Sequence, residues 1–356
     1  MSEKESRGTY VQLSKPFFSA REIEFIEQHN ADLRTNIRNF KSKSKDVFQA
    51  LIRLCIRLNL PLRVLQNSSY FYQKFYLLNN NYKKYSNLHY EVGLAVLFIS
   101  LKLNDYIKKV AVVITEALAM KEYHLANADL EENKKIIVSL ERKILEFQSF
   151  DFRNFLAEDY LIKFLKHFSN NNTTTTNDKD NSKISYLVWS TLNDLYLTSL
   201  VVQYPAHYNA LISINCGSLI FTEIAKTCPE SATSALTSID CDFKTIYPAI
   251  SDNTFLLNGT NQLLEYFIDN LNITFLRNCL YELGVKLDDK QILDILINIK
   301  IEVNAKIASA PTEVNDAYLQ NDMFFLPRDT DIAKNGSLRF IYKKSKYTQE
   351  MELSKK

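Results

Sequence analysis

Glycine and proline are nearly missing from this chain, with six and seven copies in 356 residues. A phosphate-cradling loop needs clustered glycines whose amides can approach the anion, and six scattered ones provide no such loop. All-β folds need a turn signal about every 8–12 residues, which this composition does not supply. Cysteine occurs five times, at Cys55, Cys216, Cys228, Cys241 and Cys279. The number is odd and no two lie at Cys-x-x-Cys spacing, so neither a disulfide framework nor a zinc site follows; buried thiols are expected. The five histidines are scattered, none with a partner at ligand spacing. Charge of one sign is also lacking. Lys and Arg number 43 against 41 Asp and Glu, a net charge of +2, so no overall field draws the molecule to nucleic acid or membrane. No apolar run approaches the roughly 20 residues of a membrane span. The N-terminus is polar and carries no apolar signal-peptide core, which fits a cytosolic or nuclear protein.

What is abundant is apolar and aromatic: hydrophobic residues make up 46%, with 20 Tyr and 22 Phe beside the single Trp189. The most apolar stretch is Leu88 to Asp105, where only Ser100 is polar between Val92 and Leu101. Its length and composition favour a helix. A helix apolar on every side must be surrounded by other elements. This one reads as the centre of an all-α domain, and it ends on a single cation, Lys102.

The neighbouring patterns supply the surround. Ser19 with Glu22 makes a capping box for a first helix reaching about Asn30. A basic polar segment follows, with Arg34, Arg38, Lys41, Lys43 and Lys45. Val47, Phe48, Leu51, Ile52, Cys55 and Leu58 form one helical face, and Pro61 stops it and opens the next helix. That helix carries Val64, Leu65, Phe71, Tyr72 and Phe75 and ends at Asn79-Asn80-Asn81. Further helices are expected at about Ile107–Met120 and Leu130–Phe147. After Asp159–Phe168, the stretch Asn170–Asp180 is low in complexity and reads as a flexible loop. A second helical set runs through Ile184–Leu195, a helix opened by Pro205, a long helix from Asn261 to Leu283 closed by Gly284, and a last one marked by Ile292, Leu296, Ile299 and Val303. Trp189 is expected in the core. Residues 309–356 turn polar and irregular, with 337–342 a short strand or docking segment. The expected division is an extension over 1–44, a first unit over 45–153, a second over 157–308 (169–181 its loop), and a tail over 309–356.

Catalytic equipment is hard to find. There is no Glu-x-x-His pair for a di-iron bundle. Asp288-Asp289 has no second acidic cluster to share a metal with. No cofactor, metal site or catalytic residue is expected.

Two consecutive five-helix units, the first centred on an apolar helix ending in Leu-Lys, resemble the cyclin fold. Ala95 to Lys102 is similar to the central cyclin-box helix, Leu140 to Asp151 to the fifth-helix motif, and Tyr70 to Phe75 to the second-helix motif. Asn193-Asp194, Thr198, Tyr204-Pro205, His207 and Ala210 resemble the start of the second box of transcriptional cyclins. Pro16-Phe17-Phe18-Ser19 and Ser149 to Arg153 are most similar to the cyclin subunits of fungal kinases that phosphorylate the RNA polymerase II C-terminal domain. The chain departs from cyclins in following the lysine with Leu103-Asn104-Asp105 rather than an acidic pair. Phe48 to Ile52 stands where cell-cycle cyclins carry a substrate-docking patch, so that docking is not expected.

The resemblance implies an activating subunit without catalysis of its own. Its implied partners are a cyclin-dependent kinase and a third small subunit, with indirect contact to RNA polymerase II, no direct nucleic acid, and a nuclear location. It implies that Lys102 and Glu141 meet on the kinase-facing surface, with Phe98, Ile137 and Leu145 beside them. A different class also uses two cyclin-like repeats: DNA-binding general transcription factors of the IIB type. Those carry a zinc ribbon and a strongly basic surface, and this sequence shows neither a Cys-x-x-Cys nor a large positive charge. Kinase-free preparations are expected to show no phosphotransfer in a radiolabelled ATP assay. Transfer by such material contradicts the regulatory reading.

Overall fold

The computed structural model describes residues 17–309 apart from positions 30, 80–81, 121–122, 126–128, 149, 151, 153–155, 172–177 and 228–253. Among these residues there are fourteen α-helices and no strand. The expected segment at 337–342 lies outside them, as do Cys228 and Cys241. The first set comprises α1 (Ala20–His29), α2 (Ala31–Arg57), α3 (Leu62–Leu78), the short α4 (Tyr82–Tyr85), α5 (His89–Leu103), α6 (Val110–Leu118) and α7 (Leu130–Phe147). The second comprises α8 (Glu158–Asn171), α9 (Asp178–Leu195), the short α10 (Leu200–Gln203), α11 (Ala206–Thr227), α12 (Thr254–Asn270), α13 (Phe275–Glu282) and α14 (Asp289–Ala308).

α5 is the buried axis of the first set. Every residue from His89 to Leu101 is buried, and α2, α3 and α7 pack around it. Gly93 permits the closest approach: a Cβ there would lie 2.8 Å from Val47 Cγ1 of α2. α11 repeats the plan, walled by α8, α9, α12 and α14. Gly217 brings it against α9, where a Cβ would meet Val188 Cγ2 at 2.8 Å. The all-α, two-unit expectation therefore agrees with the structure.

Local chemistry sets the helix ends. Ser19 and Glu22 form the expected capping box: Ser19 N donates to Glu22 Oε2 at 2.8 Å and Glu22 N to Ser19 Oγ at 3.2 Å. Asp129 accepts from Glu131 N and Glu132 N and so starts α7. Asp288 and Gln291 cap α14 reciprocally. α5 ends where Asp105 adopts a left-handed φ of 57°. Tyr106 N then donates to Leu101 O at 2.9 Å, which satisfies a carbonyl of the last turn. Gly284, φ 75°, ends α13 in the same way, with Val285 N donating to Leu280 O.

Several sequence expectations need correction. The basic segment is not separate from the first helix of the unit; it is the front half of the 27-residue α2. The reason is aromatic. Phe40 turns inward, with ring centroids 5.2 Å from Tyr76 and 6.2 Å from Tyr82 and from His89. Asn170, Asn171 and Asp178–Asp180 are helical, at the end of α8 and the start of α9, so only 172–177 of the expected loop stays outside the described residues. Trp189 is half-buried and stacks on Tyr186 with centroids 6.0 Å apart. The single helix expected over Asn261–Leu283 is two, α12 and α13, joined by a 3₁₀ turn at Leu271–Ile273. Asp194 of α9 makes the break: its buried carboxylate accepts from Phe275 N at 2.9 Å and Leu276 N at 2.8 Å. Those are N-terminal amides that α13 itself cannot pair. Thr274 Oγ1 accepts a third, from Arg277 N.

The two units share an interface through α3. Gln66 Nε2 donates to Asn193 Oδ1 at 2.9 Å and to Glu158 Oε1 at 3.1 Å. Gln73 Nε2 donates to Tyr196 O. The chain entering α1 crosses to the second unit, where buried Phe18 donates its N–H to Val202 O at 2.8 Å.

Two stability tests follow. Asp194→Ala strips two N–H groups of α13 of their acceptor and is expected to cost about 2–4 kcal/mol, read as a fall in Tm with the helical circular-dichroism signal retained; unchanged Tm contradicts the capping role. The second concerns His89, buried between Tyr72 Oη (2.7 Å from Nδ1) and Tyr82 Oη (3.2 Å from Nε2). Neutral imidazole accepts at one nitrogen and donates at the other. Burial, then Lys43, lowers its pKa to about 4, against roughly 6.5 in the unfolded chain. Between these values the unfolded state holds more protons, so stability is complete above about pH 6.5 and declines as pH falls towards about 4, by up to ~3 kcal/mol. Denaturant midpoints at pH 7 and pH 5 measure the decline, and His89→Gln is expected to reduce it; identical slopes in both proteins contradict it.

Candidate partner-binding surface

Lys102 is the first side chain of α5 to leave the core. All positions before it are walled in, and the left-handed turn at Asp105 stops the helix just beyond. Opposite stands α7, which buries Asn133, Ile137, Leu140 and Ile144 on one face against α5. Glu141 is one position round from that face. Lys102 Nζ donates to Glu141 Oε1, so the two side chains expected to meet do so, 39 residues apart in sequence. The lysine side chain is 66% exposed and the carboxylate 14%. Nζ carries three N–H groups and Glu141 a second oxygen, so the pair keeps hydrogen-bonding capacity for another molecule.

The other expected residues divide. Phe98 and Ile137 are 2% and 1% exposed: both lie in the core beneath the pair and offer no side-chain surface. Leu145 is half-buried, on the Glu141 side of α7. The sequence reading missed the apolar rim. Leu103, Tyr106 and Ile107 follow Lys102 directly, and Ile107 is 96% exposed. It was expected to begin the α6 helix, but it sits in the exposed link before Lys109, which has an extended backbone. Val138 is also exposed and lies three residues from Glu141 and seven from Leu145, on the same side of α7. That spacing was available in the sequence; the neighbouring Ile136 and Ile137 drew the apolar reading to the buried face. Further along α7, Glu146 pairs with Lys143 at 2.8 Å and Arg142 at 3.3 Å. Burial acts to raise its pKa, but the two cations outweigh it and the net shift is downward.

A charge pair followed in the chain by exposed Leu103, Tyr106 and Ile107, with exposed Val138 one turn from Glu141, suits recognition more than chemistry. Among the described residues no cluster of His, Cys, Asp or Glu could hold a metal ion, and no helix is long and apolar enough to cross a membrane. The second-unit residues quoted from the sequence have structural roles here. Asn193 accepts from Gln66, Asp194 caps α13, and Thr198 Oγ1 accepts from Leu200 N. His207 is half-buried between Tyr160 and Tyr208, and burial lowers its pKa.

No family model matches the chain. It is 29% identical over 202 residues to the CTD kinase subunit beta of Saccharomyces cerevisiae, across 56% of this chain and 58% of that protein. The match thus spans under two thirds of that relative's length. It is 26% identical over 283 residues to the CTD kinase subunit beta of Schizosaccharomyces pombe, across 76% of this chain and 78% of that one. The fold is similar to a chain in the crystal structure of the yeast RNA Pol II CTD kinase CTDK-1 complex. The TM-score is 0.64 at 22% identity, over 90% of this chain and 93% of that chain.

An ion pair whose lysine stays largely in water contributes little to folding, because solvent already satisfies that charge. Lys102→Ala and Glu141→Ala are each expected to change stability by no more than about 1 kcal/mol, whereas Phe98→Ala should cost about 3–5 kcal/mol. Thermal melts of the three variants decide it; a large loss in either charge variant shows that the pair is a structural clamp.

Proposed function

We propose that this chain, a homologue of the yeast CTD kinase β subunits, is a cyclin-type regulatory subunit that binds and activates a cyclin-dependent kinase acting on the RNA polymerase II C-terminal domain. The observation that carries the reading is the Lys102–Glu141 pair, formed between α5 and α7 and rimmed by exposed Leu103, Tyr106, Ile107 and Val138. The same reading includes a third small subunit, indirect contact with RNA polymerase II and a nuclear place of work. These finer points are what the cyclin resemblance implies. In this reading catalysis belongs to the kinase partner.

The mechanism is a shift of population. A protein kinase is active when a lysine–glutamate pair between a strand and its C-helix is made and the activation loop is held. A partner with affinity only for that arrangement moves the kinase towards it by its differential binding energy. A rigid surface does this best, because it loses little entropy on docking. Here Lys102 ends a helix whose preceding residues are immobilised by core packing, and Glu141 stands on a helix packed along it. The free Nζ donors and carboxylate oxygen are suited to kinase backbone groups, and the apolar rim excludes water around them.

The test is capture of the catalytic kinase subunit by the purified chain. In a bound complex the pair is desolvated, and removing one charge strands the other. Lys102→Ala and Glu141→Ala are each expected to weaken binding by about 2–5 kcal/mol, that is, from about 30-fold to more than about 1,000-fold. The double variant should lose less than the sum. Full-affinity capture by both single variants removes the assignment of these residues, and no capture of a kinase by the wild-type chain removes the regulatory reading.

A further inference from the structure

The front half of α2 carries a feature outside the Lys102–Glu141 surface. Arg38, Lys41 and Lys45 recur at i, i+3 and i+7, one line along the helix surface, and Arg34 holds the preceding place in that register. Arg38 and Lys41 are exposed and Lys45 is half-buried. In a chain with a net charge of only +2, this is a local concentration of one sign. Among the described residues none of the three cations is in an ion pair. The carboxylate that acts on the line is Glu27 of α1, which lies near Lys41 and whose own pKa is raised by burial. The line is also held still. The opposite face of α2 is anchored by Phe40 in the Tyr72, Tyr76, Tyr82 and His89 cluster, so the cations ride on a rigid rod.

We propose that the Arg38–Lys41–Lys45 line is a docking strip for a flexible peptide segment bearing phosphate groups. Phosphate oxygens accept charge-assisted hydrogen bonds from Arg and Lys, and the line spans roughly 10 Å of helix, room for more than one phosphate. Single-stranded nucleic acid is the less suitable ligand: its binders interleave cations with exposed aromatic platforms, and the aromatics here are turned into the core. The strip also stands clear of the kinase-facing surface. The stretch of α2 that carries it reaches His89 at the start of α5 through Phe40 on its other face, and Lys102 is about 20 Å further along α5. A kinase held at Lys102 that phosphorylates a repetitive chain makes a product this strip retains, which keeps the next acceptor nearby. That use rests on the proposed function; the binding itself does not.

The test uses the full chain and fluorescence anisotropy with three probes: a flexible peptide carrying several phosphoserines, its unphosphorylated form, and an oligouridine of matched charge. The phosphopeptide is expected to bind at least about tenfold more tightly than either control. Arg38→Gln/Lys41→Gln/Lys45→Gln should reduce that binding by about tenfold or more while Tm and kinase capture stay unchanged. Affinity should fall with salt, as the loss of a few phosphate contacts requires. No binding, equal binding of the two peptides, tighter binding of the oligouridine, or an unaffected triple variant overturns the proposal. Because kinase capture is read separately, failure here is distinct from failure of the regulatory reading.

Discussion

The constraint on which the first unit depends is that α5 has no face for water. Thirteen consecutive residues, His89 to Leu101, are buried. A helix of that kind is stable only inside a ring of others, so α2, α3 and α7 must each present an apolar stripe to it. The ring explains why Gly93 sits at the α2 crossing, why α7 buries Ile137, Leu140 and Ile144, and why the first position at which α5 can carry a charge is Lys102. The proposed contact is placed by exclusion: the cation stands where burial ends, and Glu141 meets it because α7 packs along α5.

That origin separates the energetics of folding from those of recognition. In the free chain the pair is exposed on the lysine side and adds little. Once covered by a partner, the same two charges are costly to leave singly unmatched. The apolar rim adds to this contrast. Ile107 stays almost wholly in water and Leu103, Tyr106 and Val138 only partly leave it on folding, so a second surface that covers them releases the water that remains. A surface with little effect on stability and a large effect on assembly is what a regulatory subunit requires.

The central axis, the helix order, the Ser19–Glu22 capping box and the Lys102–Glu141 encounter were all legible in the sequence. Apolar periodicity and short-range capping chemistry depend only on neighbouring residues, and the pair came through the cyclin resemblance. What was not legible depended on contacts far apart in the chain. The break between α12 and α13 is made by Asp194, some eighty residues earlier. The basic segment continues into α2 because Phe40 finds Tyr76 and Tyr82, which polar neighbours conceal. Phe98 and Ile137 lie beside the site in sequence pattern but under it in space, since adjacency on a helix does not distinguish a surface residue from its support. Ile107 was read as the start of a helix, but the helix begins at Val110 and Ile107 is nearly fully exposed.

The central claim is that the face around Lys102 and Glu141 is the one a kinase covers. Hydroxyl-radical footprinting of the chain, alone and with the catalytic kinase subunit, measures side-chain exposure there directly. The account predicts that labelling of Leu103, Tyr106, Ile107 and Val138 falls sharply in the complex, while Tyr281 on the second unit, 85% exposed in the free chain, is labelled as before. Unchanged labelling of those four residues in a saturated complex, with protection appearing elsewhere, contradicts it.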